Sequence, residues 1–172
     1  MTTDKGFEFN CQTSIVIDRE VETVYQALFH LQDWPKLLPH VKQVNVLYDD
    51  GNYQEFTMTV LSEKDAGALK VRSVRLCDAD KRQIGFFQPE PPPFLKHHAG
   101  GWQFIPLTDK QCQVITFHNW NLNHEKSADI FGQDESNYEQ RVSSLLLNHA
   151  NFALENWKRI LETDIVANGR QS

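Results

Sequence analysis

One long amphipathic helix ends a chain otherwise written in short strands, and that pairing narrows the fold more than anything else in the sequence. From Ser136 to Leu161 there is no glycine or proline, and Val142, Leu145, Leu146, His149, Ala153, Asn156, Trp157, Ile160 and Leu161 mark one face at helical spacing. Ser136-Asn137-Tyr138-Glu139 has the Ser-x-x-Glu form of a capping box at its start. At the other end, Phe7, Phe9, Cys11, Thr13, Ile15 and Ile17 alternate with Glu8, Asn10, Gln12 and Ser14, the period of a half-buried strand. Asp18 is placed to cap a helix in which Val21, Val24, Tyr25, Leu28 and Leu31 recur, with Glu20 and Glu22 in its first turn. Asp33 can cap a second, shorter helix that has Pro35 in its first turn and Pro39 at its stop.

Strands fill the middle. Val41–Tyr48 and Tyr53–Leu61 flank the turn cluster Asp49-Asp50-Gly51-Asn52, and a turn around Asp65–Gly67 leads into Ala68–Leu76. Asp78-Ala79-Asp80-Lys81 turns the chain into Arg82–Gln88, after which Pro89 and Pro91-Pro92-Pro93 remove ladder donors and predict an irregular loop. Gly100-Gly101 precedes Trp102–Leu107, Cys112–Leu122 is the last strand, and Asn121–Glu135 reads as a polar linker to the final helix. Tight turns between short strands favour an antiparallel meander of about seven strands. Such a sheet must cover its apolar face, and only the last helix is long enough. A helix about 10 Å wide cannot fill the concave side of a broad sheet. The expected class is therefore α+β: a curved antiparallel sheet wrapped around a long C-terminal helix, two short helices after the first strand, and an apolar cavity fit for a small ligand.

The 172 residues suffice for one domain spanning 1–172, and 40% hydrophobic content supports a core without staples. A net charge of -6 removes the broad cationic face that nucleic acid needs. Cys11, Cys77 and Cys112 are far apart and odd in number, which fits reduced thiols in a cytoplasmic protein. Met1–Asn10 is charged and lacks an apolar signal core, and no run approaches the ~20 apolar residues of a membrane span. Adjacent His97 and His98 would point to opposite faces of a strand, and His118 and His124 lack a carboxylate pattern, so no metal is expected. No phosphate loop, dinucleotide fingerprint or Gly-x-Ser-x-Gly elbow is present, so no cofactor is expected either.

The order of elements, with Glu20-Val21-Glu22-Thr23-Val24-Tyr25 leading to Asp33-Trp34-Pro35-Lys36-Leu37-Leu38-Pro39-His40-Val41, resembles the START/Bet v 1-like helix-grip superfamily and its polyketide cyclase/dehydrase branch. The likeness runs from about Phe9 to Leu161. Val71-Arg72-Ser73-Val74-Arg75 resembles the aromatic-x-Ser-x-Arg strand of bacterial type II polyketide aromatase/cyclases, with Val71 where an aromatic often stands. Pro93-Phe94 followed by Gly101-Trp102-Gln103-Phe104, and the strand ending His118-Asn119-Trp120, fit the same family.

Alternation places Leu69, Val71, Ser73 and Arg75 on the inner face if Lys70 and Arg72 face water. A guanidinium there needs an anion or several acceptors. A poly-β-ketone supplies acceptors, and its enolate supplies charge to stabilise; pairing to Asp78 or Asp80 is the structural alternative. His118 shares parity with Val114, Thr116, Trp120 and Leu122, but Ile115 and Phe117 make the other parity apolar too, so either face can be the inner one. If inward, its imidazole is suited to moving protons. Tyr25, Phe29 and Trp34 are placed near the cavity mouth and Trp102, Phe104 and Trp120 along its wall, with core packing as the plainer reading of these aromatics. His149 and Asn156 interrupt the apolar stripe of the last helix and need polar partners from substrate or sheet. Ser73 is near enough in sequence to Arg75 to share a ligand oxygen.

The resemblance implies an aromatase/cyclase that folds a carrier-bound poly-β-ketone and closes a ring by intramolecular aldol condensation and dehydration, without a cofactor. Arg75 and His118 would be catalytic, and Ser73, Tyr25, Phe29, Trp34, Val71, Trp102, Phe104, Trp120, His149 and Asn156 would line the substrate site. Its partner would be an acyl carrier protein, alongside other polyketide synthase subunits, with Lys36, His40 and Lys42 as a docking patch and Pro89–Phe94 beside the entering arm. The other reading is a non-catalytic carrier of a lipid, quinone or aromatic polyketide, which needs only the apolar cavity.

Overall fold

A computed structural model describes residues 6–61 and 67–163. The chain runs β1 (Phe9–Ile17), α1 (Val21–Phe29), a single 3-10 turn (Leu31–Asp33), α2 (Trp34–Leu37), β2 (Val41–Asp49), β3 (Tyr53–Leu61), β4 (Ala68–Asp78), β5 (Gln83–Glu90), β6 (Leu95–Thr108), β7 (Gln111–Leu122), α3 (His124–Phe131) and α4 (Glu135–Thr163). The seven strands form one antiparallel sheet in the order β1-β7-β6-β5-β4-β3-β2. Every neighbour is a hairpin partner except β1, which crosses back to pair with β7 from Phe9↔Trp120 to Ile17↔Cys112. This is the helix-grip arrangement that the order of elements implied.

Strand faces follow strict alternation. On β7 every second residue is buried, from Cys112 through Val114, Thr116, His118 and Trp120 to Leu122, while Ile115 and Phe117 turn outward and are only half-buried. That settles which way His118 points: inward. On β4 the inner face is Val71, Ser73, Arg75 and Cys77, all buried. Helix α4 lies across the inner face at the β1/β7 side and is tied down there by Lys158 Nζ donating to Val16 O (2.7 Å), Asp18 N–H donating to Glu162 Oε1 (2.9 Å) and a Thr13–Asn151 side-chain bond. Over β2 to β5 the inner-face residues Val44, Val46, Met58, Val60, Leu69 and Phe86 are only half-buried, so α4 leaves a groove on that side.

The buried side chains divide into two apolar groups. One gathers Ile17, Val24, Tyr25, Trp34, Phe56, Phe104 and Trp157 beneath α1 and α2. The other gathers Phe94, Leu95, Trp120, Leu122, Tyr138, Val142 and Leu146 beneath α3.

Several boundaries differ from the sequence expectation. Helix α1 is entered from Glu20 with no side-chain cap, because the Asp18 carboxylate accepts instead from Gln111 Nε2. It ends at Phe29, and Leu31 belongs to the following 3-10 turn. Pro89 lies within β5, next to an irregularity in the β4/β5 register where no ladder donor is required of it. Strand β6 begins at Leu95, seven residues before Trp102, so Gly100-Gly101 is strand interior. A Cβ at Gly100 would lie 2.0 Å from Phe117 O, so only glycine permits this close approach of β6 to β7. The stretch read as a polar linker holds α3, whose N-terminus is capped by Asn123 Oδ1 accepting from Lys126 N–H (3.1 Å). Helix α4 starts one residue before Ser136, and its cap is Asp134, whose Oδ1 accepts from Asn137 N–H, in place of the Ser136 box. The turn expected around Asp65–Gly67 falls, apart from Gly67, outside the described residues.

Candidate functional site

Among the described residues Arg75 is the one buried arginine, lysine or carboxylate, with 1% of its surface exposed. Neither Asp78 nor Asp80 pairs with it. Its Nε–H donates to Gln54 Oε1 (3.0 Å), and Nη2 donates to Leu28 O (2.9 Å) and Phe29 O (3.1 Å), two carbonyls in the last turn of α1. Those carbonyls carry the negative end of the helix dipole and need donors from elsewhere, which is what the guanidinium supplies. Gln54 braces the arrangement by donating to Phe29 O (3.2 Å) and Asp49 Oδ2 (3.1 Å). The guanidinium carbon sits 5.3 Å from the Trp34 ring centre and 5.9 Å from that of Trp102. Nη1 has no hydrogen-bond partner among the described residues, and the same holds for the buried indole nitrogen of Trp34. Burial draws the Arg75 pKa down to about 10, so it stays charged at neutral pH.

An aromatic strip leads from Arg75 to the histidines. The Phe86 ring lies 5.4 Å from Trp102, 5.1 Å from His98 and 5.5 Å from His118. His98 and His118 are both buried, stack at 5.2 Å and share a hydrogen bond of 2.9 Å between His98 Nε2 and His118 Nδ1. Gln88 joins them to Ser73: its Nε2 donates to Ser73 Oγ (3.2 Å), and its Oε1 lies 2.6 Å from His98 Nδ1. Thr116 Oγ1 stands 3.5 Å from His118 Nε2 and donates to Gly101 O at 3.2 Å. Burial, with His149 adding to it, lowers the His118 pKa to about 4; burial and then the neighbouring His118 and His149 push His98 well below the ordinary range.

The structure brings Arg75, Trp34, Trp102, Ser73 and His118 to one concave face, with Val71 buried beside them on β4. Tyr25 and Phe104 meet edge to face at 5.3 Å inside the apolar core, and Phe29 stacks on Tyr25. Burial raises the Tyr25 pKa to about 12, which fits a packing role. Trp120 stacks on Phe9 in the other apolar group, beyond His118 on β7. Asn156 finds both partners on α4 itself, donating to Phe152 O (2.9 Å) and accepting from Arg159 (2.9 Å), not on the sheet or a cavity. His149 is exposed at the edge of the groove, its ring 5.3 Å from His40. Burial and His149 lower the His40 pKa to about 4, so His40 adds no charge to the expected basic patch at neutral pH.

Sequence reasoning missed Gln54, Gln88 and His98. For His98 a signal existed: carrying the parity of Trp102 and Phe104 back across Gly100 places it inside, but the glycine pair reads as the end of a strand. His124, Glu135 and Glu139 bring possible metal-ligand atoms within 4.8 Å of one another, at the exposed junction of α3 and α4. His124 is there engaged by the Tyr138 hydroxyl (2.8 Å) and by Glu8 (3.2 Å). Two surface clefts, about 240 Å³ beside Gln26, His30 and Ile160 and about 450 Å³ beside Glu20, Arg82 and Asp109, are lined by neither Arg75 nor His118. Among the described residues no helix is long and apolar enough to cross a membrane.

Against known proteins, residues 17–137 match the sequence model of the family described as polyketide cyclase/dehydrase and lipid transport. A curated relative, the granaticin polyketide synthase bifunctional cyclase/dehydratase of Streptomyces violaceoruber, is 22% identical over 123 residues, covering 72% of this chain and 37% of that protein. The chain thus spans little more than a third of that relative. Among solved structures, the Zhui aromatase/cyclase from a Streptomyces species superposes with a TM-score of 0.80 at 17% identity, covering 91% of this chain and 95% of that one. The di-domain ARO/CYC StfQ of the steffimycin biosynthetic pathway gives 0.79 at 22% identity, covering 90% of this chain and 51% of that one. At such identities these structures speak for the fold.

Proposed function

The chain belongs to the polyketide cyclase/dehydrase and lipid transport family, and on that premise we propose that it is an aromatase/cyclase, one domain over 1–172, acting on a poly-β-ketone carried by an acyl carrier protein. The observation that carries this reading is a buried guanidinium that, among the described residues, has no carboxylate partner and one nitrogen unpartnered, on the same concave face as a buried uncharged imidazole. A carrier would use Arg75 at most to orient a head group and has no use for the imidazole, and burying either group is costly. A ring closure uses both: Arg75 stabilises the oxygen on which enolate charge collects, and His118 moves the proton. Trp34, Trp102 and Phe86 hold the folded chain so that the reacting carbons meet, which supplies a large share of the rate. Ser73, already accepting from Gln88, keeps a hydroxyl proton to offer a ketone oxygen.

The test is to add the purified protein to a minimal polyketide synthase that makes an unreduced chain and to compare aromatic products by mass and chromatography. A new regiospecific product is expected with the native protein. Because Arg75 also holds α1, Arg75→Lys, which keeps the charge but not the fork, is the informative variant: it should fold and lose the product. Unchanged spontaneous products with the native protein would overturn the cyclase reading and favour a carrier of a hydrophobic molecule.

A further inference from the structure

The polar chain across β4, β5, β6 and β7 has a direction, and one end dictates it. Gln88 spends its amide N–H on Ser73 Oγ and turns its carbonyl oxygen to His98 Nδ1. A carbonyl oxygen only accepts, so His98 carries its proton on Nδ1. His98 Nε2 therefore holds a lone pair, and it faces His118 Nδ1 at 2.9 Å. The proton in that bond belongs to His118 Nδ1, which leaves the lone pair of His118 on Nε2. Thr116 does not cap it, since its one hydroxyl proton goes to Gly101 O at 3.2 Å, the shorter of its two contacts. Burial keeps both rings uncharged at neutral pH, the state in which each has a single tautomer to choose.

We propose that His98, oriented by Gln88, is a positioning residue that fixes His118 in the tautomer whose Nε2 takes a proton from the substrate. This rests on the cyclase reading. In the aldol step, Nε2 takes a proton from a methylene between two carbonyls. The electron pair left on carbon forms the new C–C bond, the attacked carbonyl's π pair moves to its oxygen, and Nε2–H returns the proton there. In the dehydration, Nε2 takes a second C–H proton, the freed pair forms C=C, and that proton leaves with the hydroxyl as water. The imidazole ends each step as it began, with no oxidant or co-reactant. While it holds the extra proton, its Nδ1–H still points at the lone pair of His98.

Nitrogen-15 NMR of the histidine rings reads the tautomer without substrate, with the His118 signals assigned by their loss in His118→Asn. In the native protein Nδ1 of His118 is expected to be protonated and Nε2 bare. His98→Leu should move the proton to Nε2 for much of the population and lower kcat on the order of 100-fold, with KM changed less than about threefold. His98→Gln restores an acceptor for His118 Nδ1–H, so it should recover the tautomer and bring kcat within about tenfold of native. Thermal unfolding of each variant checks that the fold is retained. A proton on Nε2 in the native protein, or an unchanged tautomer in folded His98→Leu, overturns the proposal. The expected tautomer in a protein that forms no cyclised product overturns instead the cyclase reading and the substrate step built on it.

Discussion

Arg75 and His118 are each held by groups remote in sequence, and that decides what their substitution does. Arg75→Met would leave the carbonyls of Leu28 and Phe29 with one donor fewer and Gln54 Oε1 without its guanidinium partner. A loss of about 3 kcal/mol in urea unfolding is expected, larger than an ordinary core substitution of similar size would give. The histidines give a pH dependence of definite sign. His118 has a folded-state pKa of about 4, below its unfolded value of about 6.5. Its neutral burial therefore contributes full stability above about pH 6.5, and that contribution is lost as pH falls toward 4, on the order of 3 kcal/mol for this ring. His98 adds to the loss in the same direction. Melting temperature followed from pH 7.5 down to about 4 should decline across that window, and in His118→Asn it should decline less. Alternation along Val71–Arg75 was enough to place Arg75 inside. It was not enough for its partners, because a helix C-terminus 46 and 47 residues away leaves no periodic trace. His118 was ambiguous in sequence because both faces of β7 carry apolar side chains; β1 alongside and α4 above make one of them the interior.

Elements with a strong period were legible, and those held by a single cap or a close contact were not. Helix α4 announced itself through its apolar stripe, and the strands through alternation and turn residues. Helix α3 has eight residues and mixed polarity, so its existence depends on Asn123 at its start and Gly132 at φ 103 after its end. Asn123→Ala should cost about 1 kcal/mol and show first as faster amide exchange in α3. The early start of β6 was hidden because glycines and prolines usually end strands. Here Gly100 and Gly101 let β6 approach its neighbours: a Cβ at Gly101 would lie 2.6 Å from Ile84 O. Gly100→Ala should therefore destabilise by more than the gain of about 0.4–1 kcal/mol that a permissive site would give, with the sign itself the test in denaturant unfolding.

At the scale of the molecule, two apolar groups flank a polar array, and α4 covers only one side of the concave face. A groove of that kind rewards a ligand that is aromatic along most of its length and oxygen-bearing at intervals. Titrating such a polyketide analogue should raise the melting temperature, by the equivalent of about 2.7 kcal/mol at a hundred times its Kd. Met58→Glu, a charge set into the half-buried wall of β3, should weaken that stabilisation more than it lowers the stability of the free protein.

The pairing of β1 with β7 also bears on how the chain reaches this state. Strands β2 to β7 are joined to their neighbours by hairpins, whereas Glu8 meets Asn121 across 113 positions and Glu162 meets Asp18 across 144. Closing such long loops is slow compared with zipping a hairpin. The meander can therefore assemble first, with its concave face still wet, and the first strand and last helix then seal it together. The histidine pair would lose its water only in that late step. Kinetic analysis of substitutions should find native-like contacts at the rate-limiting barrier for Phe56 and Ile84, and few for Trp157 and Ile15.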